Sequence, residues 1–507
     1  MIIKRLGAAA FALAIVFACA GIPARGDVTV PKILSSHMVV QRDRPIHLWG
    51  WADPGERVAA TLREFTASTQ ADDLGRWSLY LAPEPAGGPY RLTIKGHNTL
   101  ILDDVLVGDV WFASGQSNMQ LPLMGFPGNA VVTNGAEEIR QAYHTDLRLL
   151  HIPDEASHYA RQDQPASWTA CTPQTAATFS AAAYFFAREL AKRERVPIGI
   201  IDCSWGGTPA APWVSPETLG SDAGLMPVFA EWASTSADHA DAPRLLAKEH
   251  REDLAARAAG RPLPQHPWHP DLDSWAPGWL YNGMIAPAVN YPIKGVIWYQ
   301  GASDTDPGRA SMYGRVFPAL IRDWRRQWRE GDFPFLFVQI ASFDAGPGWP
   351  IVREAQRRTL HLANTAMVVT IDIGNPHNIH PADKQDVGHR LALAARALAY
   401  GERIEYSGPS FRQTSLDGDR IRAWFDHADG LTAKGGPLVG FEIAGADRTF
   451  RPATARIDGD SVWLSSPRVP HPRYVRYAWA SDPVANLFNG AGLPASPFTS
   501  ERNIPNP

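Results

Sequence analysis

Cysteine is scarce in this chain, with three in 507 residues, at positions 19, 171 and 203. So few thiols exclude a small disulfide-knit scaffold, and no Cys/His spacing matches a zinc site. His266 and His269 flank Pro267 and Trp268, and His377, His380 and His389 straddle one loop and the helix after it. No Glu-bearing helical pair accompanies them, so the expectation is no metal and no cofactor. A strong charge of either sign is also missing. The formal net charge is -4, which gives no reason to expect a nucleic-acid partner. The apolar run Leu6–Phe17 is short for a membrane span. Lys4 and Arg5 precede it and Ala24-Arg25-Gly26 follows, the pattern of a secretory signal peptide over residues 1–26. A mature chain starting near Asp27, secreted or periplasmic and without an integral membrane span, is expected. Such a compartment permits Cys171 and Cys203 to pair; a buried free thiol at Cys203 is the alternative.

The composition is that of a large globular protein, 45% hydrophobic and 20% charged, and the length predicts two or more domains. Residues 27–103 alternate as strands do, with turns at Asp53-Pro54-Gly55-Glu56 and Ala86-Gly87-Gly88-Pro89. Over 104–404 apolar runs alternate with helical stretches such as Ala181–Arg193 and Phe317–Arg329. Residues 216–279 read there as a helical and Trp-rich insertion. Strand patterning returns over 405–507. The expected architecture is an α/β domain with a parallel sheet flanked by β-rich regions. These flanks form two sandwiches or pair into one jelly-roll-like module.

Four segments carry candidate chemistry. The apolar run Val105–Phe112 leads into Gly115-Gln116-Ser117-Asn118-Met119. A serine on a tight strand-to-helix turn is how α/β esterases expose a nucleophile, and a Ser N-cap on a plain βα loop fits the same residues. Ile198–Cys203 runs into Ser204-Trp205-Gly206-Gly207-Thr208, where glycine lets a backbone N–H approach a ligand. Gly295–Tyr299 delivers Gln300 at its carboxyl end. Asn378-Ile379-His380-Pro381 forms a His-bearing loop before the helix Gln385–Tyr400. Active sites of open α/β sheets lie at the carboxyl ends of strands, where all four fall.

Taken together, GDVWFASGQSNM (108–119), SWGGTPAAPW (204–213), LYNGMIAPAVNYPIKGVIWYQGASD (280–304) and HNIHPADKQDVGHRLAL (377–393) resemble the SGNH (GDSL-like) hydrolase superfamily. Within it they resemble the sialate O-acetylesterase-like carbohydrate esterases, in the family's order and across most of 108–400. The resemblance implies a three-layer α/β/α domain that removes acetyl groups from sugar hydroxyls. It implies Ser117 as nucleophile and His380 as general base. The oxyanion would be held by the Ser117 N–H, an N–H of the Gly206-Gly207 turn (Gly207) and the Gln300 side chain. A capping amide is the plainer reading of Gln300, and a packed loop histidine that of His380.

The chain departs from the family pattern twice. Where an acid often stands three residues before the histidine, this chain has His377. Asp372, ending the strand 366–371, is the preferred partner for His380; Asp304 is another, and a Ser-His dyad oriented by a backbone carbonyl is the third. Ala302 also replaces the usual Glu. The expected partner is an acetylated oligosaccharide, either plant hemicellulose (xylan or xyloglucan) or O-acetylated sialic acid. The motifs lack a basic cluster that would select a sialate carboxylate, which favours the neutral glycans. Trp268, Trp275 and Trp279 in the Pro-rich stretch 266–279 either border a glycan cleft or cover the core. A lipase or thioesterase on the same scaffold, and a glycan-binding protein with a decayed esterase domain, are the competing functions.

Overall fold

Seventeen consecutive residues, Thr99–Gly115, form one strand that belongs to two parts of the molecule. Its first half pairs antiparallel with Gly87–Lys95, inside the N-terminal β region. Its second half, buried throughout, pairs in parallel with Ile198–Ser204 on one side and Gly295–Tyr299 on the other. The boundary expected at 103/104 therefore falls inside a continuous strand. The N-terminal β region is welded to the α/β domain and shares its larger core, in which Leu48, Trp77 and Ile94 join Phe112 and Trp298. In this computed structural model residues 26–504 are described, so the expected leader lies outside the described residues except for its last position. Among those residues no helix is long and apolar enough to cross a membrane.

The central sheet runs in the order Thr365–Val368, Phe335–Val338, Gly295–Tyr299, Thr99–Gly115, Ile198–Ser204, His144–His151, all parallel. Thr169–Cys171 adds an antiparallel edge. Strands buried on both faces read as unbroken apolar runs, and the pleat sends alternate residues to opposite sides. Val110 and Phe112 pack on one face against Pro307–Trp328 and Gly348–Thr359. Trp111 and Ala113 pack on the other against Ala181–Glu194 and Lys384–Leu398. The expected three layers follow. Cys203 lies on the first face and Cys171 on the second, so the sheet separates them, and both are free and buried.

The C-terminal β region is a separate sandwich. One antiparallel sheet joins Ser410–Asp417, Arg420–Asp426, Ser461–Ser465 and Thr454–Asp458; the other joins Arg451–Pro452, Phe441–Ala444, Tyr474–Tyr477 and Phe498–Thr499. Ile421, Phe425 and Leu464 meet Ile443, Val475 and Phe498 between them. The two β flanks thus do not pair into one module. A fully buried arginine fastens the sandwich to the α/β domain. Arg353, on the helix Gly348–Thr359, donates to the carbonyls of Ile340 (2.8 Å) and Ala341 (2.8 Å) at home, and of Ala480 (2.8 Å) and Ser481 (2.9 Å) on the sandwich.

Removing this guanidinium takes a donor from four carbonyls, of which those of Ile340 and Ala341 are buried. Arg353→Met is expected to destabilise the protein by roughly 2–4 kcal/mol, since an unsatisfied buried polar group costs about 1–3 kcal/mol. Thermal unfolding followed by calorimetry checks this; an unchanged midpoint would show that the sandwich is not fastened there.

Candidate active site

The central strand ends where two backbones touch. Gly115 has φ +137°, and a Cβ there would lie 2.2 Å from the Tyr299 carbonyl oxygen, so both conformation and space require glycine. Gln116 N–H then donates to that same carbonyl at 3.0 Å. The Gln116 side-chain oxygen accepts from the Gly301 N–H at 3.0 Å and the Ser303 N–H at 3.3 Å. This tie between neighbouring strand ends sets the turn from which the short helix Ser117–Gln120 starts. Ser117 sits on its first residue, half-buried, at the carboxyl edge of the sheet.

His380 meets it from the loop that leads to Lys384–Leu398. Its Nε2 lies 2.8 Å from Ser117 Oγ. The loop is clamped from below. Asn118 Nδ2 donates to the Ile379 carbonyl at 2.9 Å, and the buried Lys384 Nζ donates to the Pro381 carbonyl (2.6 Å) and to Asn118 Oδ1 (2.9 Å). The His380 N–H donates to Asn378 Oδ1 at 2.8 Å, and Phe126 sets its ring edge-on against the imidazole. Burial, with the Lys384 ammonium adding to it, pulls the His380 pKa down to about 4. Burial pulls Lys384 itself down to about 7. A neutral imidazole hydrogen-bonded to a serine hydroxyl can accept its proton across the whole neutral range.

On the other side of Ser117 stands the Gly206-Gly207 turn. A Cβ at Gly206 would lie 3.3 Å from Ser117 Cβ, so the turn packs directly on the serine. The Gly206 N–H is taken by Gln120 Oε1 at 2.8 Å. The Gly207 and Ser117 N–H groups have no protein acceptor among the described residues.

A family profile described as carbohydrate esterase, sialic acid-specific acetylesterase, matches residues 107–223 and 264–397. The sialate O-acetylesterase of Mus musculus is 30% identical over 428 residues, spanning 76% of this chain and 76% of that protein. That of Homo sapiens is 30% identical over 421 residues, spanning 74% of this chain and 72% of that protein. The crystal structure of a carbohydrate acetylesterase from Xanthomonas citri superposes with a TM-score of 0.80 at 38% identity, covering 94% of this chain and 100% of that one. The chain belongs to the sialic acid-specific acetylesterase family of carbohydrate esterases. It is an esterase.

Two site residues expected in this esterase stand elsewhere. Asp372 is not brought to His380. Both its carboxylate oxygens accept from Arg390, at 2.7 Å each, so the guanidinium holds it in a different direction. Asp304 is no substitute, because its carboxylate accepts from Gln300 Nε2 and from the Ala210 N–H (2.9 Å). His380 Nδ1 is buried and has no protein partner among the described residues. The Gln300 amide is not turned to Ser117 either. Its Nε2 donates to the Thr208 carbonyl at 3.2 Å and to Asp304, and its Oε1 accepts from Tyr313 OH at 3.2 Å. Gln300 is the capping amide of the plainer reading: it supports the 205–208 turn from below. A carboxylate only accepts, which fixes the amide nitrogen towards Asp304.

The sequence reading missed the Asn118–Lys384 clamp, although both residues stand inside quoted motifs. A lysine within an apolar loop-to-helix junction was the available signal. It also missed Gln120, whose Nε2 reaches Asp154 at 3.4 Å. Among the described residues, Asp53, Glu56 and His97 bring donor atoms within 4.8 Å of one another, in the N-terminal β region. Glu56 is already bonded by the Asp53 and His97 N–H groups, and the cluster has no part in the site.

Two measurements test this arrangement. Asp372→Asn is expected to keep kcat/KM for 4-nitrophenyl acetate within about threefold of wild type, whereas loss of a true triad carboxylate costs about 10⁴-fold in kcat. The acid limb of kcat/KM is expected near pH 4, because a depressed histidine pKa keeps the base form present until then. Lys384→Met, which removes the neighbouring cation but leaves the larger effect of burial, should move that limb up by only part of the distance to the ordinary histidine value. A wild-type limb at 6.5 would contradict the geometry.

Proposed function

We propose that this esterase is an exported carbohydrate O-acetylesterase working through a Ser117–His380 dyad. The observation that carries the proposal is the 2.8 Å contact between Ser117 Oγ and His380 Nε2, beside free backbone N–H groups at the strand ends. Ser117 Oγ attacks the acetyl carbonyl carbon while His380 takes the hydroxyl proton. The oxyanion is held by the Ser117 and Gly207 N–H groups; one such donor is worth about 10²–10³ in rate. The tetrahedral adduct collapses, the sugar oxygen leaves with the proton from His380, and acetyl-Ser117 remains. Water then attacks that ester, giving a proton to His380. The second collapse returns the proton to Ser117 Oγ and frees acetate.

No carboxylate orients the imidazole in this reading. The clamp on the carbonyls of residues 379 and 381 does so through the backbone, and the edge of Phe126 limits rotation of the ring. Neutral acetylated hemicellulose oligosaccharides are the proposed substrates. The rim supports this choice. Gln120 links the Gly206 turn to Asp154, whose carboxyl burial and the nearby Asp202 push up to about 6, and Asp202 itself lies 3.2 Å from His151. Where ionised, Asp154 repels a sialate carboxylate, while Asp202 is paired with His151 and adds no free charge. O-acetylated sialic acid is the second reading, favoured by the names of the mouse and human relatives. Export rests on the pattern of Lys4 to Gly26.

The test is acetate release from acetylated xylan or xyloglucan oligosaccharides and from O-acetylated sialic acid, with Ser117→Ala beside wild type. Release from the hemicellulose at a higher kcat/KM, lowered at least about 10³-fold by the substitution, is expected. Glycan binding without any serine-dependent release would overturn the esterase assignment on sugars.

A further inference from the structure

The family profile skips the stretch between residues 223 and 264. In this chain two helices occupy it, Pro227–Asp238 and Ala242–Ala258. The second of them holds the loop that follows. His266 Nε2 lies 3.0 Å from an Asp253 carboxylate oxygen, and His269 Nε2 lies 3.3 Å from Glu249. Between these two anchors stands Trp268, with 64% of its surface exposed. An indole left this open forgoes the gain of burial, which for a large apolar side chain is a sizeable stabilisation.

The position of that indole points to a use. A Cβ at Gly207 would lie 3.4 Å from Trp268 Nε1 and 3.5 Å from its Cζ2, so the ring stands against the residue whose N–H is free beside Ser117. Trp275 backs it at 5.9 Å between ring centroids and donates its indole N–H to the Gly207 carbonyl at 2.9 Å. The Arg309 guanidinium sits 4.8 Å from the centroid of the Trp275 ring. The open ring is thus held against the Gly206-Gly207 turn that packs on Ser117, on a support that the second of these helices supplies.

We propose that Trp268 is a sugar-stacking subsite, and this rests on the carbohydrate reading above. Its exposed face receives a pyranose ring of the acetylated oligosaccharide next to the Gly207 N–H. The negative face of the aromatic ring meets the C–H face of the sugar, while the sugar hydroxyls stay in water. The inserted helices act as the buttress that keeps the indole at this height. Glycan length is therefore sensed at Trp268, and bond cleavage occurs at Ser117.

The test compares wild type, Trp268→Ala and Trp268→Tyr on acetylated xyloglucan oligosaccharide, 4-nitrophenyl acetate and 4-nitrophenyl butyrate. In parallel, calorimetry measures oligosaccharide binding to Ser117→Ala with and without Trp268→Ala. The expected result is a loss in kcat/KM on the oligosaccharide about tenfold greater than on 4-nitrophenyl acetate. It should lie in KM, be largely restored by tyrosine, and be matched by weaker binding in the Ser117→Ala background. Equal loss on sugar and aryl acetate, or unchanged binding, overturns the subsite. A gain on butyrate alone also overturns it, making Trp268 a wall of the acyl pocket. If wild type releases no acetate from the oligosaccharide yet binding still depends on Trp268, the esterase reading on that glycan fails and the subsite stands.

Discussion

The contact on which the site depends is made by backbone alone, where the central strand passes Tyr299. Gly115 and the Tyr299 carbonyl approach so closely that no side chain fits between them. The Gln116 N–H uses that carbonyl, and the Gln116 side chain reaches over to the loop after the neighbouring strand. The turn bearing Ser117 is therefore specified by the parallel register of two strands. Backbone hydrogen bonds in a buried parallel sheet have no solvent to fall back on, so this register is firmly held.

The second half of the site comes from the opposite end of the α/β domain, and several elements bring it in. Lys384 and Asn118 bond each other and the carbonyls on either side of His380, so the histidine loop is fastened to the helix that carries the serine. From the other direction the Asp344 N–H donates to the Pro376 carbonyl, and the Phe343 N–H donates to Ser481 of the C-terminal sandwich. The sandwich is thus part of the frame that sets the histidine loop, rather than a free appendage. Arg353 adds the buried fastening a short way below.

An esterase of this layout without a carboxylate behind its histidine must hold the imidazole by other means. A buried lysine beside the loop acts in the opposite electrostatic sense to a triad acid, since it disfavours the imidazolium rather than stabilising it. The consequence is a base that stays neutral far into acid, with less drive to take a proton. In the proposed dyad mechanism, backbone N–H groups at Ser117 and Gly207 would carry a larger share of the transition-state stabilisation.

Much of this was legible locally. The apolar run before Ser117, the Gly-Gly turn after Cys203, the strand before Gln300 and the loop at His380 each announce a strand end in the sequence, and all four ends meet on one edge of one sheet. Period and turn chemistry are short-range properties, so element type and the meeting place of parallel strands can be read from them. The direction of each polar side chain cannot. Asp372 turns to Arg390 eighteen residues on, and Gln300 turns down to Asp304, because buried donors and acceptors choose partners by three-dimensional proximity. The same holds for the strand Thr99–Gly115. Its halves differ in pattern, alternating before Val105 and mostly apolar after it, but nothing local shows that they run on as one strand completing an antiparallel β region and then the central parallel sheet. Only tertiary packing decides which neighbours each half receives.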